Sequence, residues 1–334
     1  MKGKSIGARI IGTGSAIPEK IISNKDLESV VDTTDEWIMR RSGIKERRIS
    51  SMKRDESTTD MAAKAGLKAL DMAGIKPQDL DTIIVGTVTS DRLFPSTGCM
   101  VQRTLKAENA AAFDVSAGCS GFLYALATAN NAIRTGASKK ALVIGAERLS
   151  SIVNWKDRGT CVLLADGAGA LVLSADNREP GILTTHLKSD GTLWDLLYST
   201  EGEPYAPDIL LPLDMKPFHL IMEGNRLFKR AIECMASIAK EAFKQTSLSS
   251  DDIGLVIPHQ ANIRIINALA KNLGVSMERV YTNIHKYGNT SSATIPIALD
   301  EANREGRLKK GDNALLVSFG AGLTWGSSIL RWAL

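Results

Sequence analysis

Of the four cysteines in this sequence, at positions 99, 119, 161 and 234, Cys119 has the setting that best suits chemistry. The run DVSAGCSGFLYALATANNAI reads as a strand, a turn of small residues and a helix, because Phe122, Leu126, Ala129 and Ile133 recur at helical spacing. Cys119 therefore falls where a helix begins, and there free backbone N–H groups and aligned peptide dipoles favour an anion. That position is expected to lower the thiol pKa and raise the share of nucleophilic thiolate. Gly118 and Gly121 let a substrate come close. The plain alternative is a small buried hydrophobe, and the other three cysteines read that way. Cys234 lies on the stripe Leu227, Ala231, Cys234, Ile238; Cys161 opens an apolar run; Cys99 sits in a helical segment after Pro95.

A thiolate that carries an acyl group needs hydrogen-bond donors around it. Among four histidines, His259 ends the apolar run IGLVIP and opens HQANIRIINAL, which turns into a helix. Strand ends of this kind are where sites gather in α/β proteins. His186 and His219 fall in or beside an insertion and His285 in a polar turn, so packing or surface roles account for them. Asn289, in HKYGNTSSATIPIAL, is a neutral donor that could help bind a developing oxyanion, although Gly-Asn is also a common turn pair. SFGAGLTWGSSIL offers successive small residues whose N–H groups could converge on one spot; it lacks the Lys and Ser/Thr of a phosphate-binding P-loop. GTGSAIP at 12–18 has two glycines and runs into proline, so it reads as a turn and not as a dinucleotide fingerprint.

The elements that must position these residues alternate. Apolar runs at 82–88, 111–115, 141–145, 161–164 and 170–174 read as strands, with helical patterns at 58–73 and 119–135 between them. This predicts α/β layers around buried sheets. Aligning Asp79-Leu80 with Asp252-Ile253 gives an offset of 173 residues, and the same offset carries KKALVI at 139–144 onto DNALLV at 312–317 and Cys119 onto Ser292. The chain is expected to be a duplication: residues 1–178 form an N-terminal half with the nucleophile, and residues 179–334 a C-terminal half with the His and Asn. Segments 25–55 and 187–220 interrupt the repeat and are long enough to cover a site.

The bulk numbers agree with such a protein. The chain has 334 residues, 44% hydrophobic and 23% charged, with a net charge of +4 from scattered Lys and Arg. That balance suits a globular protein with a sizeable core. A diffuse positive field argues against a nucleic-acid partner and suits anions such as CoA or an acidic carrier protein. No signal peptide or membrane span is read, and the widely spaced cysteines suggest reduced thiols in the cytoplasm without a zinc or disulfide framework.

DVSAGCSGF, HQANIRI, YGNTSSATIP and SFGAGLTWG, in this order, resemble the motifs of the β-ketoacyl-acyl-carrier-protein synthase III family. IIGTGSAIP, TTDEWIMRRSGI and DRGT…DGAGA are also similar to it, so the resemblance spans essentially the whole chain. It implies a thiolase-like fold, five-layered αβαβα, usually homodimeric. It also implies decarboxylative Claisen condensation of a short acyl-CoA, such as acetyl-CoA, with malonyl-acyl carrier protein, which initiates type II fatty-acid synthesis. By the same resemblance Cys119 carries the acyl group, and His259 and Asn289 hold the malonyl thioester oxygen. The N–H groups of Cys119 and Ala321 form the other oxyanion hole. Trp37 and Arg158 match the pair around the CoA adenine, with Thr33 and Arg41 near its phosphates. Lys229, Arg264 and Lys271 match a carrier-docking surface, and Phe94 a position closing the partner's acyl pocket. Acyl-CoA enters as a substrate, and no cofactor is implied.

Two departures stand out: Ala321 replaces a glycine found in some members, and Asn272 replaces a second basic residue beside Lys271. A secondary-metabolite ketosynthase with another primer is the alternative within the fold. Elongating ketosynthases pair two histidines with the cysteine, and Asn289 argues against them. A degenerate scaffold would be expected to lack one of Cys119, His259 or Asn289. A Cys-His hydrolase would need a base to activate water.

Overall fold

The computed structural model describes residues 6–51, 54–177, 179, 181–200 and 219–334. The first sheet contains β1 (Gly7–Ala16), β2 (Thr82–Gly86), β3 (Ala111–Val115), β4 (Lys140–Arg148) and β5 (Asp166–Asp176), in the order β1-β5-β4-β2-β3. β2 runs parallel to β3 and β4, whereas β5 is antiparallel to β4 and β1. The second sheet contains β6 (Ile182–Ser189), β7 (Leu255–Pro258), β8 (Asn313–Gly320) and β9 (Thr324–Arg331), in the order β7-β8-β9-β6. Its central pairings repeat those of the first sheet: β7 is parallel to β8, and β9 is antiparallel to β8 and β6. Where β3 would recur, the second half has a single bridge between Val256 and Val280.

Helices α1 (Thr58–Ala73) and α2 (Thr97–Leu105) cover one face of the first sheet, packing Met61, Ala65 and Ala69 against Ile83, Val85, Leu142 and Ile144. A capping box from Ser57 and Asp60 starts α1, and left-handed Gly74 ends it. Helix α3 (Gly121–Arg134) lies between the sheets beside a later helix of the second half, Thr294–Arg304. A helix enclosed on two sides must be apolar beyond one stripe, and α3 buries Leu123 and Ala125 as well as Phe122, Leu126, Ala129 and Ile133. Helices α4 (Gly224–Thr246) and α5 (Ile263–Leu273) cover the outer face of the second sheet through Ile238, Ala242 and Leu269. With Thr294–Arg304 as α6, the layers run α1/α2, sheet, α3/α6, sheet, α4/α5, which is the expected five-layered αβαβα thiolase-like arrangement.

The offset of 173 carries the start of β2 onto that of β7 and the start of β4 onto that of β8. It also carries the 3-10 turns Pro77–Asp79 and Gly118–Ser120 onto Ser250–Asp252 and Ser291–Ala293. One expected strand is absent. Residues 161–164 form a turn with a lone bridge from Leu164 to Asn289, and the buried Arg47 guanidinium takes the Val162 carbonyl at 2.7 Å. The Cys161 and Leu163 N–H groups also turn back to the Asp157 and Thr160 carbonyls, so the segment joins no ladder.

Both insertions approach the site. Within 25–55, helix Asp35–Ser42 is capped by Thr34, and Ile38 and Ile44 pack on Leu149, Val162 and Leu164. From 187–220, strand Leu197–Ser199 pairs with Leu220–Met222; residues 201–218 lie outside those described.

Candidate active site

A cavity of about 410 Å³ is lined by Cys119, His259, Asn289 and Ala321. Three of them follow a strand end, and Asn289 follows the one-turn helix Ile284–Tyr287. Cys119 lies in the turn leading into α3, His259 directly follows β7, Asn289 precedes the turn into α6, and Ala321 stands between β8 and β9. The turns at Gly118–Cys119 and Gly320–Ala321 nearly touch. A Cβ on Gly118 would sit 2.6 Å from Ala321 N, and one on Gly320 would sit 2.4 Å from Cys119 N. Gly118 is also left-handed, at φ +53°. Glycine at both positions is what brings the N–H groups of Cys119 and Ala321 together.

The resting thiol differs from the sequence-based expectation. Burial pushes the Cys119 pKa up to about 11; the neighbouring Ser291 hydroxyl pulls the other way, and a negative charge on Glu147 would add to the rise. The favourable helix start is thus outweighed by depth, and the resting group is a thiol. Burial likewise pulls His259 down to about 3, so its ring is neutral at working pH. Nδ1 of His259 lies 2.7 Å from Thr294 Oγ1, which is also 2.9 Å from the Ser291 carbonyl. When the hydroxyl proton points to Nδ1, the ring carries its proton on Nε2; when it points to the carbonyl, Nε2 presents a lone pair. Asn289 is fixed by its own turn: Oδ1 accepts from Ser291 N at 2.8 Å, leaving the Nδ2 amide as the donor.

The outer residues divide. Trp37, Arg41 and Arg264 line the cavity, and Arg41 and Arg264 are exposed, which marks its mouth. The guanidinium carbons of Arg158 and Arg41 lie 5.0 and 5.5 Å from the centre of the Trp37 ring, within cation–π range. Arg158 rests on Trp37 itself, so a planar base between them requires the Arg158 side chain to move aside. The Thr33 hydroxyl is buried without a hydrogen-bond partner. Lys229 and Lys271 are exposed on α4 and α5 and do not line the cavity, while Arg264 stacks on Phe228. Phe94 is 81% exposed and lies outside this chain's cavity. Cys161 and Cys234 are buried as expected, whereas Cys99 is exposed, because α2 caps an edge strand and not a central one.

Residues 113–191 match the sequence family described as 3-oxoacyl-acyl-carrier-protein synthase III, and residues 243–332 match its C-terminal family. A β-ketoacyl-acyl-carrier-protein synthase III from Caldanaerobacter subterraneus subsp. tengcongensis is 51% identical over 330 residues, covering 99% of both chains. The chain belongs to the synthase III family. A crystal structure of the Aquifex aeolicus synthase III superposes with a TM-score of 0.91 at 47% identity, covering 98% of this chain and 100% of that one. The priming β-ketosynthase of the R1128 polyketide pathway has the same TM-score of 0.91 at 35% identity, covering 98% of this chain and 96% of that one.

Three polar neighbours in this synthase III chain escape a reading of the sequence alone: Ser291, Thr294 and Glu147. All are buried. The offset of 173 does place Ser291 opposite Gly118, and both are left-handed, at φ +50° and +53°. A serine where the other half needs glycine is the one signal available. Thr294 and Glu147 carry none, since Thr opens many helices and Glu147 ends a strand like any surface acid.

Proposed function

We infer that this chain is a condensing acyltransferase that joins a short acyl-CoA to malonyl-acyl carrier protein by decarboxylative Claisen chemistry, the opening step of type II fatty-acid synthesis. One observation carries the reading: Cys119, His259 and Asn289 line one cavity whose mouth is cationic. In the first half-reaction the Cys119 sulfur attacks the acyl carbonyl, and the N–H groups of Cys119 and Ala321 hold the oxyanion. CoA leaves as thiolate and gains the equivalent of the proton that Cys119 lost. In the second, malonyl loses carbon dioxide, and its thioester oxygen takes the resulting charge. Nε2–H of His259, with Thr294 donating to Nδ1, and Nδ2–H of Asn289 hold that oxygen while the enolate carbon attacks the Cys119 thioester. Cys119 leaves and regains a proton from solvent. No bound cofactor enters.

Trp37, Arg158, Thr33 and Arg41 would hold the nucleotide end of CoA, and Lys229, Arg264 and Lys271 would meet the acidic carrier. The edge position of β3, with Phe113, Leu93 and Phe94 exposed beside it, supports a homodimer paired along that edge. In that dimer Phe94 would end the partner's acyl pocket and favour short primers. Unpaired cysteines suit a reducing, cytoplasmic setting, and the halves 1–178 and 179–334 read as one duplicated unit. The secondary-metabolite alternative is less favoured, since relatives at 46–51% identity carry the synthase III name and the polyketide enzyme stands at 35%.

The test separates the two half-reactions. His259→Ala and Asn289→Ala should still be acylated by acetyl-CoA, seen as added mass on Cys119. They should lose about 10²–10³ in condensation, because each removes one donor from the enolate oxygen. Condensation within a few-fold of wild type would refute these roles, and release of free acid alone would show a hydrolase. Running the assay over a series of acyl-CoA lengths tests Phe94: kcat/KM should fall as the primer lengthens.

A further inference from the structure

Glu147, near the end of β4, is fully buried, and its polar contacts among the described residues are hydroxyls and one backbone N–H. Oε2 accepts from Thr89 Oγ1 at 2.5 Å, Val88 N at 3.2 Å and Thr87 Oγ1 at 3.3 Å. Oε1 lies 3.1 Å from Ser291 Oγ and 3.0 Å from Ser292 Oγ. Each serine has a second neighbour. Ser292 Oγ is 2.7 Å from the Gly86 carbonyl, and Ser291 lines the same cavity as Cys119, where its hydroxyl pulls the thiol pKa down. The groups form a row: Cys119, Ser291, Glu147, Ser292, Gly86.

The protons in that row can be counted. A carbonyl brings none, so Ser292 must donate to Gly86 and offer Oε1 only its lone pairs. If Glu147 were a carboxylate, Ser292 would leave either Gly86 O or Oε1 facing a bare oxygen. If Glu147 is a carboxylic acid, every contact holds one proton. Sγ–H points to Ser291, Ser291 O–H to Oε1, Oε1–H to Ser292, and Ser292 O–H to Gly86 O. The backbone supports a purpose for the link. Ser291 keeps a side chain at φ +50°, where its counterpart Gly118 has none, and a left-handed non-glycine is costly unless its surroundings hold it there.

We propose that Glu147 is held as the neutral acid in the resting enzyme and that, through Ser291, it is the positioning residue that keeps an O–H ready for the Cys119 sulfur. When Cys119 gives up its proton, the Ser291 hydroxyl turns from Oε1 to the thiolate. Oε1–H stays on Ser292, and no negative charge opposes the sulfur. An ionised Glu147 would do the reverse, holding the Ser291 proton and repelling the thiolate. Cys119 is the titratable group that faces it, and the environment fits: burial outweighs the donated hydrogen bonds and raises the Glu147 pKa.

Its catalytic meaning rests on Cys119 as acyl carrier, but alkylation of Cys119 requires no acyl substrate, so the two readings can fail separately. The experiment follows the pH dependence of Cys119 alkylation by iodoacetamide in the full-length protein, mapped by peptide mass spectrometry. Wild type is compared with Glu147→Gln and Ser291→Gly. Gln is neutral, so its midpoint should stay within about one unit of wild type, whereas deleting a nearby buried charge would lower it by more than about one unit. Glycine suits the left-handed backbone but lacks the hydroxyl, so the Ser291→Gly midpoint should rise by about half a unit or more. A drop beyond one unit in Glu147→Gln, or an unmoved midpoint in Ser291→Gly, overturns the proposal. If Glu147→Gln does not fold, carbon-13 spectra of wild type labelled at Glu decide. One side-chain carboxyl should remain protonated through neutral pH, and a set that all ionises in the ordinary carboxylate range overturns the proposal.

Discussion

Thr294 shows how much a single hydroxyl can decide. Its Oγ1 touches both His259 Nδ1 and the Ser291 carbonyl, so it selects which face of the imidazole is a donor. Thr294→Val keeps the shape and removes the selection. Condensation should fall by about 3- to 10-fold, the worth of one neutral hydrogen bond, while acylation of Cys119 stays near wild type. Equal loss in both steps, measured by single turnover, would mean that Thr294 only supports packing. Cys119 and His259 stood out in the sequence because each follows a strand end, a local signal, whereas Asn289 follows a one-turn helix and showed only as a Gly-Asn turn pair. Their protonation was not legible. The Cys119 thiol is raised and the His259 ring lowered by depth, which arises only when residues from both halves close over them. Glu147 was invisible for the same reason, since its partners Ser291 and Ser292 lie 144 and 145 residues along the chain.

At the scale of elements, the proposed oxyanion hole depends on two turns that press backbone against backbone. Gly320→Ala puts a methyl 2.4 Å from Cys119 N, where no side chain can swing clear, so one turn must retreat. Acylation should drop by at least about 10²-fold, the cost of one misplaced donor, and alkylation of Cys119 should persist. Acylation near wild type would show that the hole is built elsewhere. Helix bounds and the alternation of strands were readable because hydrophobic spacing reports them directly: α1 spans the predicted 58–73, and β3 the predicted 111–115. The misread strand at 161–164 has the right composition, but a buried arginine from the covering insertion claims its carbonyl. No local pattern records such a claim. Cys99 was misjudged for a related reason, since a helix looks the same in sequence whether it caps a central strand or an edge.

For the whole molecule, that edge carries a prediction about assembly. Cys99 Sγ lies 3.4 Å from the Ala112 carbonyl, directly on β3. Pairing of two chains along β3 would cover it. If the chain dimerises along β3, as proposed, maleimide labelling of Cys99 should be slow at high protein concentration and rise on dilution; labelling that ignores concentration would mean that no partner covers this edge. Inside one chain, α3 and α6 form a single apolar layer that belongs to both sheets at once: Phe122, Leu126 and Leu299 share a core with Ile84, Val143, Leu316 and Leu330. Neither half can therefore keep its interior dry without the other. The two sheets repeat their central pairings but share one core layer, and melting should proceed as one cooperative event, with calorimetric and van't Hoff enthalpies in agreement. A chain that looks like two domains in its sequence would then unfold as one.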